Sequence, residues 1–466
     1  MKWNMAPAGM AEAAGQVMSV LAERGREAYF VGGCIRDELL GRPVHDIDLT
    51  TSALPEEIME AFPRCVPTGL AHGTVTVLQD GFSFEVTTYR TESGYADHRR
   101  PEHVSFVSDV KEDLRRRDFT INAICSGMDG KLLDPFGGAA DLERRLVRCV
   151  GEAEERFDED ALRMLRCLRF AAVLDFRIAK NTWRGLLRQR DKLAHIAVER
   201  MRSEVERIVE GPHPQRGLAL IARSGLLPRG KAPFPWTGVE LAAAAAQLAG
   251  IGELQSARLR WALLLHALGQ SAASADGLLR AWTFPGATRS AVAGVLRARE
   301  AWLAALAEVP PGTPGGTEQL RRRWIAAVLA IGRAAAEGWL AVAEALPPGA
   351  GGGSAGPAAA EPAAEPGTGP AASPAGPPAA ADAASAPAAP PDTARLRAWI
   401  AAMPLFTLGE LAVTGGQVAA RLDKRPGPWL GTLLQRLLLE VAAGALDNDP
   451  QVLLQEAQRM VKHDEQ

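Results

Sequence analysis

Cysteine is scarce. The 466 residues hold five (Cys34, Cys65, Cys125, Cys149, Cys167), an odd number with no CxxC pair. That argues against a disulfide scaffold and a cysteine-built zinc site, and it fits a reducing compartment. No apolar run of 18 residues exists, and the N-terminal MKWNMAPAGMAEAAGQVM carries no apolar stretch long enough for export. The expectation is a cytoplasmic protein without a membrane span. A charge excess is missing too: 52 Lys and Arg against 55 Asp and Glu leave −3, so no global basic field announces nucleic acid. What remains is ordinary, with 47% apolar and 23% charged residues. The length is too great for one compact domain and suggests three or four.

Large side chains disappear between Pro347 and Thr393. Of these 47 residues 38 are Ala, Pro or Gly, four are acidic, and none is Lys or Arg. With no apolar bulk to bury, nothing offsets the entropy of ordering, and a disordered, partly extended linker is expected. Taking its −4 from the total of −3 leaves +1 for the rest, so local patches matter more than the sum. From residue 28 to about 150 run short β-rich segments, AYFVGG, DIDLTT, TVTVL, FSFEVTTY and HVSF, separated by helical stretches and turns. From about 152 to 346, Leu and Ala recur at three- and four-residue spacing, as in ALRMLRCLRFAAVL and LRWALLLHALG, and 394–466 is again helical around KRPGPW. The expected class is an α/β head, a small mixed β-sheet with helices, followed by a mostly α-helical remainder cut once by the linker.

Chemistry concentrates in FVGGCIRDELLGRPVHDIDLTT. A strand ends at Val31, Gly32 and Gly33 follow, and a short helix starts near Cys34. Paired glycines let backbone N–H groups approach a phosphate beside a helix N-terminus, although most such pairs are only turns. Asp46 and Asp48, two apart on a strand-like run, share one face, while Ile47 and Leu49 point to the other. Like charges on one face repel unless neutralised, and hard Mg²⁺ prefers carboxylate oxygens; a lone DxD is more often a solvated edge strand. In FSFEVTTYR, Phe82, Phe84 and Val86 alternate onto one face and leave Glu85 on the other. Glu85 is either a third carboxylate of a metal site or a solvent-facing strand residue.

Together, GG, Arg36-Asp37 and DxD at this spacing resemble the signature of the polymerase β-like nucleotidyltransferase superfamily. More narrowly, GGCIRDELLGRPVHDIDLTTSALPEEI resembles the first motif of class II CCA-adding tRNA nucleotidyltransferases and the related bacterial poly(A) polymerases. The resemblance implies two Mg²⁺ ions on Asp46 and Asp48 and a triphosphate positioned by Gly33 and Arg36. RTESGYADHRRPEHVSF, with Arg90, Asp97, Arg99 and Arg100, is similar to the flexible loop that rearranges in these families between C and A addition. Read alone, a mixed-charge loop is usually solvated surface. In DLRRRDFTINAI, three arginines precede Asp118, Phe119 and Asn122. Arginine offers phosphate a bidentate fork, though a basic cluster by itself is commonly a surface face. RRDFTxNA matches the second family motif, which implies triphosphate binding by Arg117, with Asp118 and Asn122 near the ribose. Asp134 in LLDPFGG matches as a turn residue.

In FDEDALRMLRCLRFAA, Leu162, Leu165 and Leu168 recur every three residues, as do Arg163, Arg166 and Arg169. A helix would turn the leucines inward and leave a basic stripe, the usual solvated face of an amphipathic helix. Asp160 and Arg163 would stand side by side at i, i+3, and such a pair can read a base. Asp160 accepts from the amine of cytosine or adenine, and Arg163 donates to the ring nitrogen. Uracil and guanine present a carbonyl and a ring N–H instead, and each mispaired buried group costs on the order of 1–3 kcal/mol. The stretch resembles the EDxxR motif (Glu159, Asp160, Arg163) by which the class II family templates C and A without nucleic acid. Arg166 and Arg169 match further nucleotide-contacting arginines. VERMRSEVERIV, with Glu199, Arg200 and Glu204, resembles the motif that ends the neck.

Trp236, Trp261, Trp282, Trp302, Trp324 and Trp339 fall at helical spacing and are expected in a core rather than under stacked bases. His266 is expected to be structural, and Arg321 to Arg323 meet either phosphate or solvent. LFTLGELAVTGGQVAARLDKRPGPW resembles the tail of compact bacterial CCA-adding enzymes, where Lys424 and Arg425 would suit RNA-backbone contact. The combined expectation is a head over 1–150, a neck over 151–226, a body over 227–346, the linker over 347–393 and a tail over 394–466. The implied activity is Mg²⁺-dependent addition of C, C and A from CTP and ATP to the 3′ end of tRNA, by a monomer or homodimer away from membranes. A poly(A) polymerase, or an enzyme adding only CC or only A, stays open within the class. Outside it stands a non-catalytic RNA-binding protein, against which the retention of both Asp46 and Asp48 speaks.

Overall fold

The computed structural model describes residues 2–95, 101–232, 234, 237–310, 312–347 and 392–464. Asp97, Arg99, Arg100, Trp236 and nearly all of the Ala/Pro/Gly segment lie outside the described residues. The chain divides into two compact units, Met1–Gly238 and Val239–Gln466.

The first unit opens with β1 (Ala28–Val31), β2 (Leu49–Thr51), β3 (Cys65–Gly69), β4 (Thr74–Gln79), β5 (Phe82–Thr88), β6 (Arg90–Tyr95), β7 (Pro101–Phe106), β8 (Cys125–Ser126) and β9 (Leu132–Leu133). Among the described residues, seven of these form one mixed sheet in the order β3-β4-β5-β2-β1-β8-β9, in which the β2–β5 pair is parallel. Alternation makes the sheet. In β5, Phe84 and Val86 are fully buried and Glu85 between them is exposed, as the sequence pattern requires. Helix α1 (Ala8–Glu23) packs Ala13, Ala14, Val17 and Leu21 against β1, β4 and β5. Each fully buried side chain of Val or Leu size stabilises by roughly 1.5–3 kcal/mol. Helix α2 (Gly33–Leu39) follows the GG turn, and α3 (Pro55–Ala61) also packs on β4 and β5.

Two expectations need correction here. The strand expected over DIDLTT is only Leu49–Thr51: β1 turns away at Gly32 (φ +82°), and among the described residues the backbone of 46–48 keeps one bond to it, Val31 N–H to the Asp48 carbonyl at 3.0 Å. The extended alternation survives: Ile47 and Leu49 are buried, Asp46 is exposed and Asp48 half-buried. The segment expected as a loop after Tyr89 forms an antiparallel ribbon, β6 with β7, from Arg90 opposite Phe106 to Tyr95 opposite Pro101.

Helices α4 (Val110–Arg115), α5 (Gly138–Glu143), α6 (Ala153–Glu159), α7 (Leu162–Val173), α8 (Lys180–Gln189), α9 (Val198–Glu210) and α10 (Pro214–Ser224) complete this unit, with β10 (Leu146–Val147) parallel to β11 (Arg177–Ile178). Asp109 caps α4 by accepting from Lys111 N–H at 2.8 Å. Asp134 accepts from Gly138 and Ala139 N–H at 2.7 and 2.8 Å, the turn role expected of it. The third correction is that FDEDALRMLRCL is not one helix. Asp160 leaves helical geometry (φ −136°, ψ 103°), and its carboxylate accepts from Leu162 N–H at 3.0 Å, so it ends α6 and caps α7.

The second unit carries α11 (Gly238–Ala244), α12 (Ala257–Ala267), α13 (Ala272–Ala281), α14 (Gly286–Glu308), α15 (Gly316–Ile331), α16 (Arg333–Glu344), α17 (Thr393–Ala401), α18 (Gly415–Leu422), α19 (Pro428–Ala442) and α20 (Pro450–Asp464). Trp261, Trp282, Trp302, Trp324 and Trp339 are all buried, and Trp302 meets Trp324 edge-on at 5.8 Å, so they are core as expected. Arg321 donates to the Ala443 carbonyl at 2.7 Å, Arg322 pairs with Glu440 and Arg323 with Glu308, so this cluster is committed to protein acceptors. All five cysteines are free thiols, and burial pushes Cys34, Cys125 and Cys149 up to about 12, which leaves them unreactive. Among the described residues no single helix is long and apolar enough to cross a membrane.

Candidate active site

The carboxylates come together through strand register. Leu49 on β2 lies opposite Val86 on the parallel β5, so one residue earlier on each chain stand Asp48 and Glu85. Burial first, and after it the charges of Asp46 and Glu85, push the Asp48 carboxyl up to about 6 against the opposing charge of Arg117. Asp46 and Glu85 are therefore near enough to Asp48 for their charges to be felt there. Among the described residues no three His, Cys, Asp or Glu side chains close into a finished ligand shell.

Next to Asp48 lies the phosphate cradle. A Cβ on Gly32 would stand 2.9 Å from Nη1 of Arg117, and its φ of +82° favours glycine, so Gly32 is the residue this approach demands. Gly33 opens α2. The three consecutive arginines part company. Arg115 is exposed and pairs with Glu112, Arg116 reaches Asp113 at 2.7 Å and Glu92 at 3.1 Å, and Arg117 turns toward Gly32. Arg117 Nε is buried and has no hydrogen-bond partner among the described residues; its nearest carboxylate, Asp113, is 3.6 Å from Nη2. An unpartnered guanidinium N–H beside a glycine turn is a ready donor for a phosphate oxygen.

A hydrogen-bonded chain runs across the floor. Arg36 donates to Asn122 Oδ1 at 2.6 Å, Asn122 Nδ2 to Asp118 at 3.0 Å, and Arg166 Nε to the other oxygen of Asp118 at 2.8 Å. Burial alone would raise Asp118, but Arg166, the Asn122 amide and Arg163 outweigh it and hold the carboxyl down at about 2. Under this chain the Phe170 ring lies 5.0 Å from the Arg36 guanidinium, 5.5 Å from that of Arg166 and 4.1 Å from that of Arg169.

The Asp160 break shapes the far wall. One Asp160 oxygen caps α7, and the other accepts from Arg200 at 3.0 Å. Arg163 is 9% exposed and donates to Glu159 at 2.5 Å, to the Arg156 carbonyl at 3.1 Å and to the Arg116 carbonyl at 3.0 Å. Arg169 pairs with buried Glu204 on α9 at 2.6 Å. The structure does not bear out the alternative of a solvated stripe: Arg163, Arg166 and Arg169 are each held by a carboxylate, while Leu162, Leu165 and Leu168 are buried as expected. A cavity of about 450 Å³ gathers these walls, and its lining includes seven arginines and three aspartates. That volume and charge suit one nucleoside triphosphate.

The curated CCA-adding enzyme of Geobacillus thermodenitrificans is 37% identical to this chain over 436 residues, covering 93% of each. The chain belongs to the CCA-adding enzyme family. The CCA-adding enzyme of Limosilactobacillus fermentum is 36% identical over 97% of each chain. The crystal structure of the Bacillus stearothermophilus CCA-adding enzyme in complex with CTP has a TM-score of 0.74 at 34% identity, covering 98% of this chain and 99% of that one. A Thermotoga maritima CCA-adding enzyme complexed with tRNA shares the fold, with a TM-score of 0.62 at 18% identity over 98% of this chain and 97% of that one. Residues 28–148 match the family described as "Poly A polymerase head domain", 175–229 that described as "Probable RNA and SrmB- binding site of polymerase A", and 380–457 a tRNA nucleotidyltransferase domain 2 family.

In this family member the cavity unites Gly33, Arg36, Asp48, Arg117, Asp118, Asn122, Asp160, Arg163, Arg166 and Arg169. Asp46 and Glu85 stand beside Asp48 without joining that lining. Arg90 is not brought in: it pairs with Glu92 and the His72 carbonyl at the base of the β6–β7 ribbon. Lys424 and Arg425 are exposed in the second unit. Sequence reasoning gave no site role to Phe170 or Arg200, both of which line the cavity. For Phe170 the available signal was its place one residue after Arg169 and four after Arg166. Arg200 carried no local signal for its partner Asp160.

Proposed function

We propose that this chain adds C, C and A to the 3′ end of tRNA from CTP and ATP without a nucleic-acid template, releasing pyrophosphate. The observation that carries this is the single cavity that joins Asp48, the unpartnered Nε of Arg117 and the Asp160–Arg163 pair. Similarity to CCA-adding enzymes over nearly the whole chain supports CCA addition over poly(A) addition. Head, neck, body, linker and tail, divided at 150, 226, 346 and 393, are part of the same reading.

Asp46 and Asp48, with Glu85 beside them, are the carboxylates that would hold two Mg²⁺ ions. Bound there, the metal supplies activation of the tRNA 3′-hydroxyl and charge neutralisation at the leaving pyrophosphate. The 3′-oxygen bonds to the α-phosphorus of CTP or ATP as the α–β P–O bond breaks, and the hydroxyl proton passes to water. Arg117, Arg36 and the Gly32–Gly33 turn place the triphosphate in line. Asp118 and Asn122 are the residues this reading assigns to the ribose, and Phe170 holds the arginine field in shape from below. Asp160 retains acceptor capacity for the amine of C or A, since a carboxylate offers about four lone-pair sites. Arg163 is pre-oriented by Glu159 and two carbonyls, so a base gains its N–H only by displacing one of them. Mg²⁺, tRNA and both nucleotides are thus the cofactor and partners of this reading.

The test is purified protein with tRNA lacking its CCA end and each NTP singly and in pairs. Products longer by CC with CTP alone, and by CCA with CTP and ATP, are expected. A run of A, or CC alone in every mixture, would replace the reading by poly(A) or partial addition, and no product would leave an RNA-binding protein.

A further inference from the structure

Asp113 on α4 is a fully buried carboxylate that does not line the catalytic cavity. Arg116 and Arg117 stand three and four residues on, the two positions that a helical turn brings within reach of one side chain. Its two oxygens are shared out unequally. Oδ1 accepts from Arg116 Nε at 2.9 Å and Nη2 at 2.7 Å, and from the Arg90 N–H at 3.4 Å. Oδ2 accepts from the Thr50 hydroxyl at 3.2 Å and stands 3.6 Å from Arg117 Nη2. Thr50 lies on β2, two residues after Asp48, and Arg90 opens β6. Donors from separate segments thus fix the carboxylate independently of Arg117.

Arg117 differs from its neighbours in the cavity wall. Among the described residues, Arg36, Arg116, Arg163, Arg166, Arg169 and Arg200 each hold a carboxylate oxygen at 3.0 Å or less. Arg117 meets Asp113 at 3.6 Å, beyond hydrogen-bond reach, and its buried Nε has no partner. A charge at that distance attracts without occupying a donor. Burial alone would raise the Asp113 carboxyl, but the charges of Arg116 and Arg117 outweigh it and hold the carboxyl below the usual carboxylate range. The pull is mutual. An ionised carboxylate in the interior holds a half-buried guanidinium beside Gly32 and leaves its N–H groups to a ligand. A guanidinium without that charge behind it would turn to Asp48, whose carboxyl already feels Arg117. We propose that Asp113 is a positioning residue for triphosphate binding: it aims Arg117 at the phosphates from behind and touches no substrate itself. The inference rests on the nucleotidyltransferase reading for the identity of the ligand.

The experiment uses the full chain with Asp113→Asn, Arg117→Gln and the two combined, each checked for folding by thermal melts. Titration calorimetry in EDTA gives the affinity for CTP and for inorganic tripolyphosphate, and steady-state rates on tRNA lacking CCA give KM and kcat for CTP and ATP. Asp113→Asn is expected to weaken CTP, ATP and tripolyphosphate alike by about tenfold, the worth of one misplaced charge-assisted hydrogen bond. Because the loss is of binding and not of a transition-state contact, kcat should stay within about threefold. Affinity for tRNA and discrimination against UTP and GTP should not move. In the Arg117→Gln background, Asp113→Asn should add less than about a further twofold, since a residue that acts through another has nothing left to position. Additive losses in the two backgrounds, or a loss on CTP that spares tripolyphosphate, would overturn the role. Should Asp113→Asn fail to fold, Asp113→Glu replaces it: the charge is kept but moved by one methylene, the same parallel losses are expected, and their persistence in the Arg117→Gln background overturns the proposal. A parent that binds CTP and tripolyphosphate but extends no tRNA overturns the CCA reading, while the calorimetric comparison still judges Asp113.

Discussion

Asp48 is charged at a cost to the fold. Its carboxyl is raised to about 6 by burial first and by Asp46 and Glu85 after it. A folded-state value above the unfolded one means that the contribution to stability is complete below the unfolded value of 3.8 and is lost as pH rises through 6. At pH 7.5 the ionised group therefore destabilises the metal-free protein. Asp48→Asn should abolish incorporation of both C and A and yet raise the unfolding free energy in EDTA by on the order of 1–3 kcal/mol. Asp46→Ala and Asp48→Ala should likewise lose turnover while tRNA binding persists. Near-normal turnover with Mg²⁺ in any of these would remove the carboxylates from the metal role, and a stability loss in Asp48→Asn would contradict the charge argument. Arg117 is the complementary case, a half-buried guanidinium whose Nε–H has no protein partner among the described residues.

At the scale of elements, the α6–α7 break is the informative feature. Asp160 accepts from the first N–H of α7 as well as carrying the proposed base-reading role, and Arg163 stitches α6 to the segment after α4 through the Arg116 carbonyl. The two roles separate by substitution. Asp160→Asn keeps a good cap but offers an amide donor that can meet a carbonyl. Asp160→Ala removes both cap and acceptor, and Arg163→Ala removes the donor and three protein contacts. Each lost charged hydrogen bond is worth roughly 1.5–3 kcal/mol, about ten- to hundredfold in selectivity. All three variants should use CTP and ATP less well and begin to admit UTP or GTP, and the alanine variants should also melt earlier. Single-turnover incorporation of the four NTPs onto tRNA ending at the discriminator base and at CC is the measurement. Unchanged discrimination against UTP and GTP would reduce this region to a structural helix junction.

At the scale of the whole molecule, the two units carry different liabilities. In the second, His266 is buried edge-on to Trp339 at 5.4 Å, with neither ring nitrogen hydrogen-bonded among the described residues. Burial, and after it the charge of Arg299, pushes its pKa from 6.5 down to about 4. Its contribution to stability is therefore complete above pH 6.5 and is lost as pH falls through 4, at most about 3 kcal/mol by linkage. His266→Leu should flatten the fall of the full chain's melting temperature between pH 6.5 and 4; an unchanged slope would show that other groups set it. The Ala/Pro/Gly segment lacks the side chains to pack or to hold phosphate. Replacing Gly351–Ala389 by a short Gly/Ser spacer should leave CTP and ATP incorporation within a few-fold. Collapse of activity with intact melting would show that the segment, or its length, takes part.

The sequence by itself determined the local chemistry of this protein. The strand alternation of Phe84, Glu85 and Val86, the Asp46/Asp48 spacing, the GG turn before a helix and the EDxxR run were legible because each depends on neighbours a few residues away. So was the helical texture of the second unit, where Leu, Ala and Trp spacing alone predicts a core. Tertiary structure decided everything that rests on a distant partner. The parallel β2–β5 register carries Glu85 to Asp48. The break at Asp160 is held by Arg200 on another helix, and Asp118, Glu159 and Glu204 pair the arginines that periodicity alone would have left on a solvated stripe. Thr50 on β2 and Arg90 on β6 fix the Asp113 carboxylate between Arg116 and Arg117. Periodicity records which face a side chain takes, but pairing of charges requires knowing what lies opposite, and that is set by chain segments far apart in the sequence.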